Sequence, residues 1–436
     1  MIQRTKLLGS IAATGKRSLS ASSRWAEIRD IAELPHRTSP RYQDSKNGDF
    51  LTLQWPSRPQ NILLTKKNKT PAITESLIEF AKHIHSEYEP INMIVEHHVA
   101  KEVHESLPFP VYTTAAPKDK SMPILHDKVD LVSTLGGDGT ILHASALFAT
   151  TKHVPPIISF SMGTLGFLGQ WKFEEYKRAF REAYVSGAEV SHGRPALGDV
   201  AAPESAETET SDSQSWSSIR GKLMGSNHRA RVLLRNRLKV GIFDANGQRL
   251  TDDAGTPSQE HGDVYAMNEV IMHRGANPHL TIIKVLINGH FLTEAVADGM
   301  IISTPTGSTA YSLSSGGSIV HPLVSSLLLT PICPRSLSFR PLVLPANAQI
   351  TLRLSEMNRG KEVEVSVDGV RRNKGLGLGM EVRVSGESVR DRGGVWNGGV
   401  PSIVRGAAGS DVGGDDHWVG GLNGLLKYNY PFGEGA

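Results

Sequence analysis

The sequence predicts an α/β protein in two parts: an N-terminal Rossmann-like α/β domain with a parallel sheet, then a mostly β, sandwich-like C-terminal domain. Three observations carry this prediction. From about residue 60 to 190, short apolar runs alternate with helix-like segments, the pattern of parallel strands joined by crossover helices. Beyond about residue 230 the apolar period becomes two, as in half-buried strands. Between these regions, residues 196–230 are rich in Ser, Thr, Glu and Ala and hold little that can be buried.

The first 30 residues stand apart. Arg4, Lys6, Lys16, Arg17 and Arg24 precede the first acid, Glu27, in a Ser-rich stretch. That composition reads as a mitochondrial transit peptide, the alternative being a disordered basic terminus. In either reading it lies outside the fold, and the α/β domain is placed at 31–195. There "NILLTKK", "INMIVEHH", "VDLVSTL" and "PIISFSM" read as strands. In "TPAITESLIEFAKHIHSEY", Thr70 and Pro71 start a helix whose buried face holds Leu77, Phe80, Ala81 and Ile84. "TILHASALFA" and "FEEYKRAFREAYVSG" supply two more helices.

After the 196–230 insertion, the β-rich domain is placed at 231–390. Asn246-Gly247 and Asn288-Gly289 each separate two strand-like runs, and both predict type I′ turns because that turn needs two residues at positive φ. "QITLRLS", "VEVSVDGV" and "MEVRVS" complete the strands. Residues 391–436 read as a loose glycine-rich tail, closed by a segment whose Leu422, Leu425, Leu426, Tyr428 and Phe432 can dock on a domain.

Composition narrows the chemistry. The 436 residues suffice for two cores, and 47 Lys plus Arg against 44 Asp plus Glu leave a formal charge of +3. So balanced a chain implies no nucleic-acid partner and no membrane field. No apolar run reaches the roughly 18 residues of a membrane span. The single cysteine, Cys333, excludes an intramolecular disulfide and a cysteine-rich metal site. HExxH, GxSxG and CxxC motifs are absent, and the 17 histidines show no metal-ligand spacing, so no protein metal site is assigned.

Three stretches bear chemistry. In "LVSTLGGDGTILHASALF" a strand runs into Gly136, Gly137, Asp138, Gly139 and Thr140, then a helix. Glycines admit close approach, and the amides of a helix start favour phosphate. A carboxylate among phosphates is unfavourable unless it holds Mg²⁺ or accepts a proton; a tight turn with a capping Asp is the alternative. "DGMIISTPTGSTAYSLSSGGSIVHP", residues 298–322, has the hydroxyls to hold ribose or phosphate, or only to satisfy one another within a loop. Asn268 and Glu269 are adjacent polar residues inside a strand-like run, either solvated at its end or part of a polar site.

Taken in order, "GGDGT", "MGTLGFL" (162–168), Asn268-Glu269, the 298–322 stretch and "ICPRSLSFRPLVLP" (332–345) resemble the NAD kinase family, over roughly residues 60–385. The transit-like start, "MNEVIMHRGANPHL" and the closing "GLNGLLKYNYPFG" are most similar to its fungal mitochondrial NADH kinase branch. The resemblance implies ATP-dependent phosphorylation of the 2′-hydroxyl of the adenosine ribose of NAD⁺ or NADH, with Mg²⁺ accompanying ATP. It implies Asp138 as the catalytic carboxylate and Gly136, Gly137, Gly139 and Thr140 as the phosphate loop. Asn268, Glu269, Asp298, Thr309, Ala310, Tyr311, Ser312 and Ser314 would bind the dinucleotide, with His143 and His279 also at ligand-contacting positions. It further implies a homo-oligomer, dimer or tetramer, in the mitochondrial matrix. Two positions depart from some relatives: Val296 stands where a basic residue is found and Val370 where a polar one is. A lipid kinase of the diacylglycerol or sphingosine type, which shares the GGDGT loop, is the alternative. A reporter fused behind residues 1–30 is expected in mitochondria by microscopy and fractionation; a reporter left in the cytosol overturns the transit reading.

Overall fold

The computed structural model describes residues 27–45, 50–88, 90–114, 118–163, 166–187, 229–250, 263–390, 394–405 and 417–426. The transit segment up to residue 26 and most of the 196–230 insertion therefore lie outside the described residues. No described helix is long and apolar enough to cross a membrane.

An eleven-stranded sheet forms the first unit. Its parallel part runs, in spatial order, Ile28–Asp30, Val111–Thr113, Asn92–Val95, Asn61–Lys66, Leu131–Leu135 and Ile157–Ser161. Asn61–Lys66, Leu131–Leu135 and Ile157–Ser161 are buried at every residue, because helices cover both faces. Ile62 and Leu64 point into a core with Leu77, Phe80 and Ile84 of the helix Pro71–Glu87. Leu63 and Val132 point the other way, toward Ile141 and Ala144 of the helix Asp138–Ala146. Thr70 and Pro71 open the first of these helices as expected. Strand order reverses between Asn61–Lys66 and Leu131–Leu135. The crevice beyond the carboxyl ends at such a switch is where open α/β sheets bind ligands, and Gly136–Thr140 lies there.

The sheet corrects three expected boundaries. Ile28–Asp30 pairs with Val111–Thr113 and Ile31 is fully buried, so the fold begins within the first 30 residues. Arg231–Arg235, assigned by its pattern to the β domain, instead joins this first sheet. Val400–Val404, assigned to the loose tail, is a fully buried strand between Ile157–Ser161 and Arg231–Arg235. Gly398 and Gly399, at φ +105° and +68°, turn the chain into that slot. Short apolar runs flanked by glycine carry no sign of which sheet they enter. Later in the tail, the helix His417–Leu426 places Trp418 edge-on to His321, and Leu422 and Leu426 are half-buried. The side chains of Leu425, Tyr428 and Phe432 lie outside the described residues.

Where the insertion departs, the two ends meet. Ser186 Oγ donates to the Leu53 carbonyl at 2.5 Å and accepts from the Ala230 amide at 3.0 Å. Arg229 and Ala230, counted with the insertion, thus already belong to the fold.

The second unit is a sandwich of antiparallel sheets of six and seven strands. Val240, Ile283, Ile350 and Leu352 of one sheet share a core with Met272, Ile302, Leu329 and Val365 of the other. Asn288 and Gly289 both have positive φ, +51° and +81°, closing the hairpin of Thr281–Ile287 and His290–Ala297 as predicted. At Asn246-Gly247 only the glycine does, at +77°. There the Asp244 carboxylate accepts the amides of Asn246 and Gln248, and this side-chain turn replaces the expected type I′ turn.

The units meet along a polar and apolar seam. Met267, next to Asn268, is fully buried in the first unit's core with Ile141 and Leu168. Arg237 makes two hydrogen bonds to Glu387, at 2.6 and 2.8 Å, and also donates to the Phe148 and Thr151 carbonyls. Both side chains of this ion pair are about 1% exposed, so removing one partner strands a buried charge. Glu387→Ala is expected to lower unfolding free energy by about 3–5 kcal/mol, read from urea midpoints; an unchanged midpoint would show the pair to be dispensable.

Candidate active site

Gly136 ends the strand Leu131–Leu135 and holds φ +154°; a Cβ there would stand 2.3 Å from Thr140 Oγ1. Thr140 itself is buried against the loop. Gly137 and Gly139 have nothing within 4 Å where a Cβ would be, so the helix start they flank is open to a ligand. The helix dipole and the unpaired first amides favour phosphate at that opening.

Asp138 is the first residue of the helix Asp138–Ala146, and its carboxylate is fixed from outside it. Oδ2 accepts the Phe167 amide at 2.9 Å and Oδ1 the Leu168 amide at 3.1 Å. Gly166 makes this approach possible, since a Cβ there would fall 2.1 Å from Asp138 Oδ1. The "MGTLGFL" stretch thus has a physical role, presenting two adjacent N–H groups to a single carboxylate. Asp138 is held in place with no ion pair to its oxygens among the described residues.

Asn268 and Glu269 lie across the seam, 5% and 7% exposed, which removes the solvated alternative. Asp368, at φ +46°, accepts the amides of Met267, Asn268 and Glu269 at 2.7, 2.7 and 3.1 Å. From the other side Thr304 Oγ1 donates to the Met267 carbonyl at 2.6 Å, and the Thr304 amide to the Asn268 carbonyl at 2.9 Å. Gly307 packs so closely that a Cβ would sit 2.2 Å from the Asn268 carbonyl. With the backbone so clamped, Asn268 Oδ1 and Glu269 Oε2 have no hydrogen-bond partner among the described residues. Buried polar atoms without a protein partner call for a water, an ion or a ligand group. Burial, and then the charge of Asp368, push the Glu269 carboxyl up to about 7.

The other expected site residues divide. Asp298 pairs with Arg274, Nε to Oδ1 at 2.5 Å, so a basic partner comes from a neighbouring turn where Val296 offers none. Thr309, Ala310 and Tyr311 lie half-buried or exposed around the helical turns Thr306–Thr309 and Tyr311–Ser314, with Ser314 exposed. Ser312 points inward, fully buried, with Oγ 2.8 Å from Thr330 Oγ1; it fastens the loop. Ser308 likewise bonds the Val320 backbone. His143 bonds Glu96 within the first unit at 3.0 Å, and His279 is exposed on the turn before Thr281. Among the described residues no group of three or more His, Cys, Asp or Glu forms a metal cage.

Sequence reasoning missed two residues. Asp368 was visible only as the acid of "SVDGV", and Arg235 only as one of two arginines two apart in an apolar run. Arg235 is about 1% exposed and donates to Ser402, Thr306, Phe167 and Leu168.

The Glu269 carboxyl gives a signed test. Its folded value lies above its unfolded one, so its contribution to stability is complete below about pH 4 and is lost as pH rises through about 7. Glu269→Gln lacks this loss. Its stability relative to the parent should rise by up to about 3 kcal/mol between about pH 4 and 8 in urea titrations, and a constant difference would contradict the shifted carboxyl.

Comparison with known proteins identifies the family. Residues 56–187 match the ATP-NAD kinase N-terminal domain and residues 267–388 the ATP-NAD kinase C-terminal domain. The chain is 37% identical over 413 residues to a mitochondrial NADH kinase of Schizosaccharomyces pombe, covering 93% of this chain and 86% of that one. It is 36% identical over 384 residues to a mitochondrial NADH kinase of Saccharomyces cerevisiae, covering 85% and 78%. The crystal structure of yeast NADH kinase complexed with NADH superposes with a TM-score of 0.69 at 33% identity, over 94% of this chain and all of that one. With both domain models, full-length relatives and a solved fold in agreement, this chain belongs to the NAD kinase family.

Proposed function

We propose that this NAD(H) kinase transfers the γ-phosphoryl group of ATP to the 2′-hydroxyl of the adenosine ribose of NAD⁺ or NADH, with Asp138 as the general base. The observation that carries the reading is the pairing of an immobilised carboxylate with an open glycine loop at a helix start. As the O2′–Pγ bond forms and the bond from Pγ to the bridging oxygen breaks, the hydroxyl proton passes to Asp138 and the electron pair leaves with ADP. Mg²⁺ enters with ATP as part of the substrate, where it neutralises phosphate charge. Positioning carries most of the remaining rate. The unpartnered Asn268 Oδ1 and Glu269 Oε2 are acceptors suited to sugar hydroxyls, and support these two residues as the dinucleotide's anchor.

The mitochondrial relatives and the basic, Ser-rich start together support a mitochondrial address, in the matrix. A homo-oligomer rests on family resemblance. No observation favours the lipid-kinase alternative.

Asp138→Asn is expected to bind NADH as the parent does while turnover falls by about two or more powers of ten, the size of general-base loss. Binding by fluorescence titration and NADPH formation measure the two halves. A parental rate in the variant removes Asp138 from the chemistry.

A further inference from the structure

Two buried arginines sit two residues apart at the seam, and they are treated differently. Arg237 has a carboxylate partner, Glu387, in a two-bond pair. Arg235 has no carboxylate hydrogen-bonded to it among the described residues. Its donors go to neutral oxygens: Nε to Ser402 Oγ at 3.2 Å, Nη1 to Thr306 Oγ1 at 3.5 Å, and Nη2 to the Leu168 and Phe167 carbonyls at 3.2 and 3.5 Å. A buried cation without a bonded anion is unfavourable unless something repays its lost hydration.

The missing anion is one peptide away. The carbonyl of Phe167 and the amide of Leu168 belong to the same peptide group. Arg235 approaches that group's oxygen, while its N–H donates to Asp138 Oδ1 at 3.1 Å. Guanidinium, peptide and carboxylate thus form a chain in which each bond polarises the next. Burial lowers the Arg235 guanidinium to about 10, with the Asp138 charge opposing that shift, so it remains a cation at neutral pH. Its Thr306 contact reaches the loop that runs on to Thr309 and Tyr311, and its Ser402 contact reaches the strand Val400–Val404.

We propose that Arg235 is a positioning residue for the phosphoryl transfer: through the Phe167–Leu168 peptide it sets the place of the Asp138 carboxylate, and through Thr306 it ties that place to the dinucleotide loop. The proposal rests on Asp138 acting as the base. A direct ion pair would occupy the carboxylate oxygens, whereas the intervening peptide leaves each oxygen a free lone pair for the ribose proton.

The test is a double-mutant cycle in the full chain with Arg235→Lys, Arg235→Gln and Asp138→Asn. Lysine keeps the charge but lacks the fork that spans Thr306 and both carbonyls, and it serves if the glutamine variant does not fold. In Arg235→Lys, kcat is expected to fall about tenfold or more, with KM for NADH and ATP within about threefold, as for a displaced reacting group. Added to Asp138→Asn, the same change should alter residual turnover less than about twofold, because the group it positions is already gone. A parental kcat in Arg235→Lys overturns the proposal, as does an equal tenfold loss in the Asp138→Asn background. A parental rate in Asp138→Asn alone is a different outcome, which removes the base and this proposal with it.

Discussion

Two amide protons decide where the acidic group of this enzyme can be. Asp138 begins a helix, and at a helix start a short carboxylate would ordinarily turn back to cap its own backbone. Here the amides of Phe167 and Leu168 draw it outward, and Gly166 clears the space it needs. Much of the first unit serves that arrangement. The parallel strands bring residues 136–140 and 166–168 together, and the hydrophobic faces on both sides fix the height of each strand. A carboxylate proposed to take the proton of a hydroxyl whose oxygen attacks phosphorus in line tolerates little play.

The same constraint explains why the two units are interlaced. The chain visits the first sheet, crosses at Arg235–Leu238 into the sandwich, and returns with Val400–Val404 to close the slot beside Arg231–Arg235. A simple linker would allow the units to rock, as separate domains do by default. Two crossings, the Arg237–Glu387 pair and the Met267 side chain set in the opposite core oppose such motion. The Asn268–Glu269 strand proposed to hold the dinucleotide is therefore registered against the Gly136–Thr140 loop proposed to hold the phosphates.

Much of this was legible in the residues. Alternating apolar runs located the core strands of the parallel sheet, and the Thr70-Pro71 start and Asn288-Gly289 turn follow from local chemistry. Asp138, Asn268 and Glu269 stood out because polar residues in those settings need a reason. What stayed hidden depends on distant partners. Nothing near Val400 indicates that it pairs with Ile157–Ser161, and Asp368 lies about a hundred residues from the amides it accepts. Ser312 looked like its neighbours in a hydroxyl-rich run, yet only the fold shows Thr330 beneath it. Arg235 was disguised by its setting, since a long charged side chain in a strand-like run normally reaches solvent.

One feature of the first unit bears on how the gene for such a protein can change. The segment between Gly187 and Arg229 starts and finishes at one inward-facing hydroxyl, that of Ser186. With its two ends tied at one point, each doubling of such a loop adds only about 0.6 kcal/mol of closure entropy. At this junction, evolution or an engineer can therefore change the length of the chain at little cost in closure entropy.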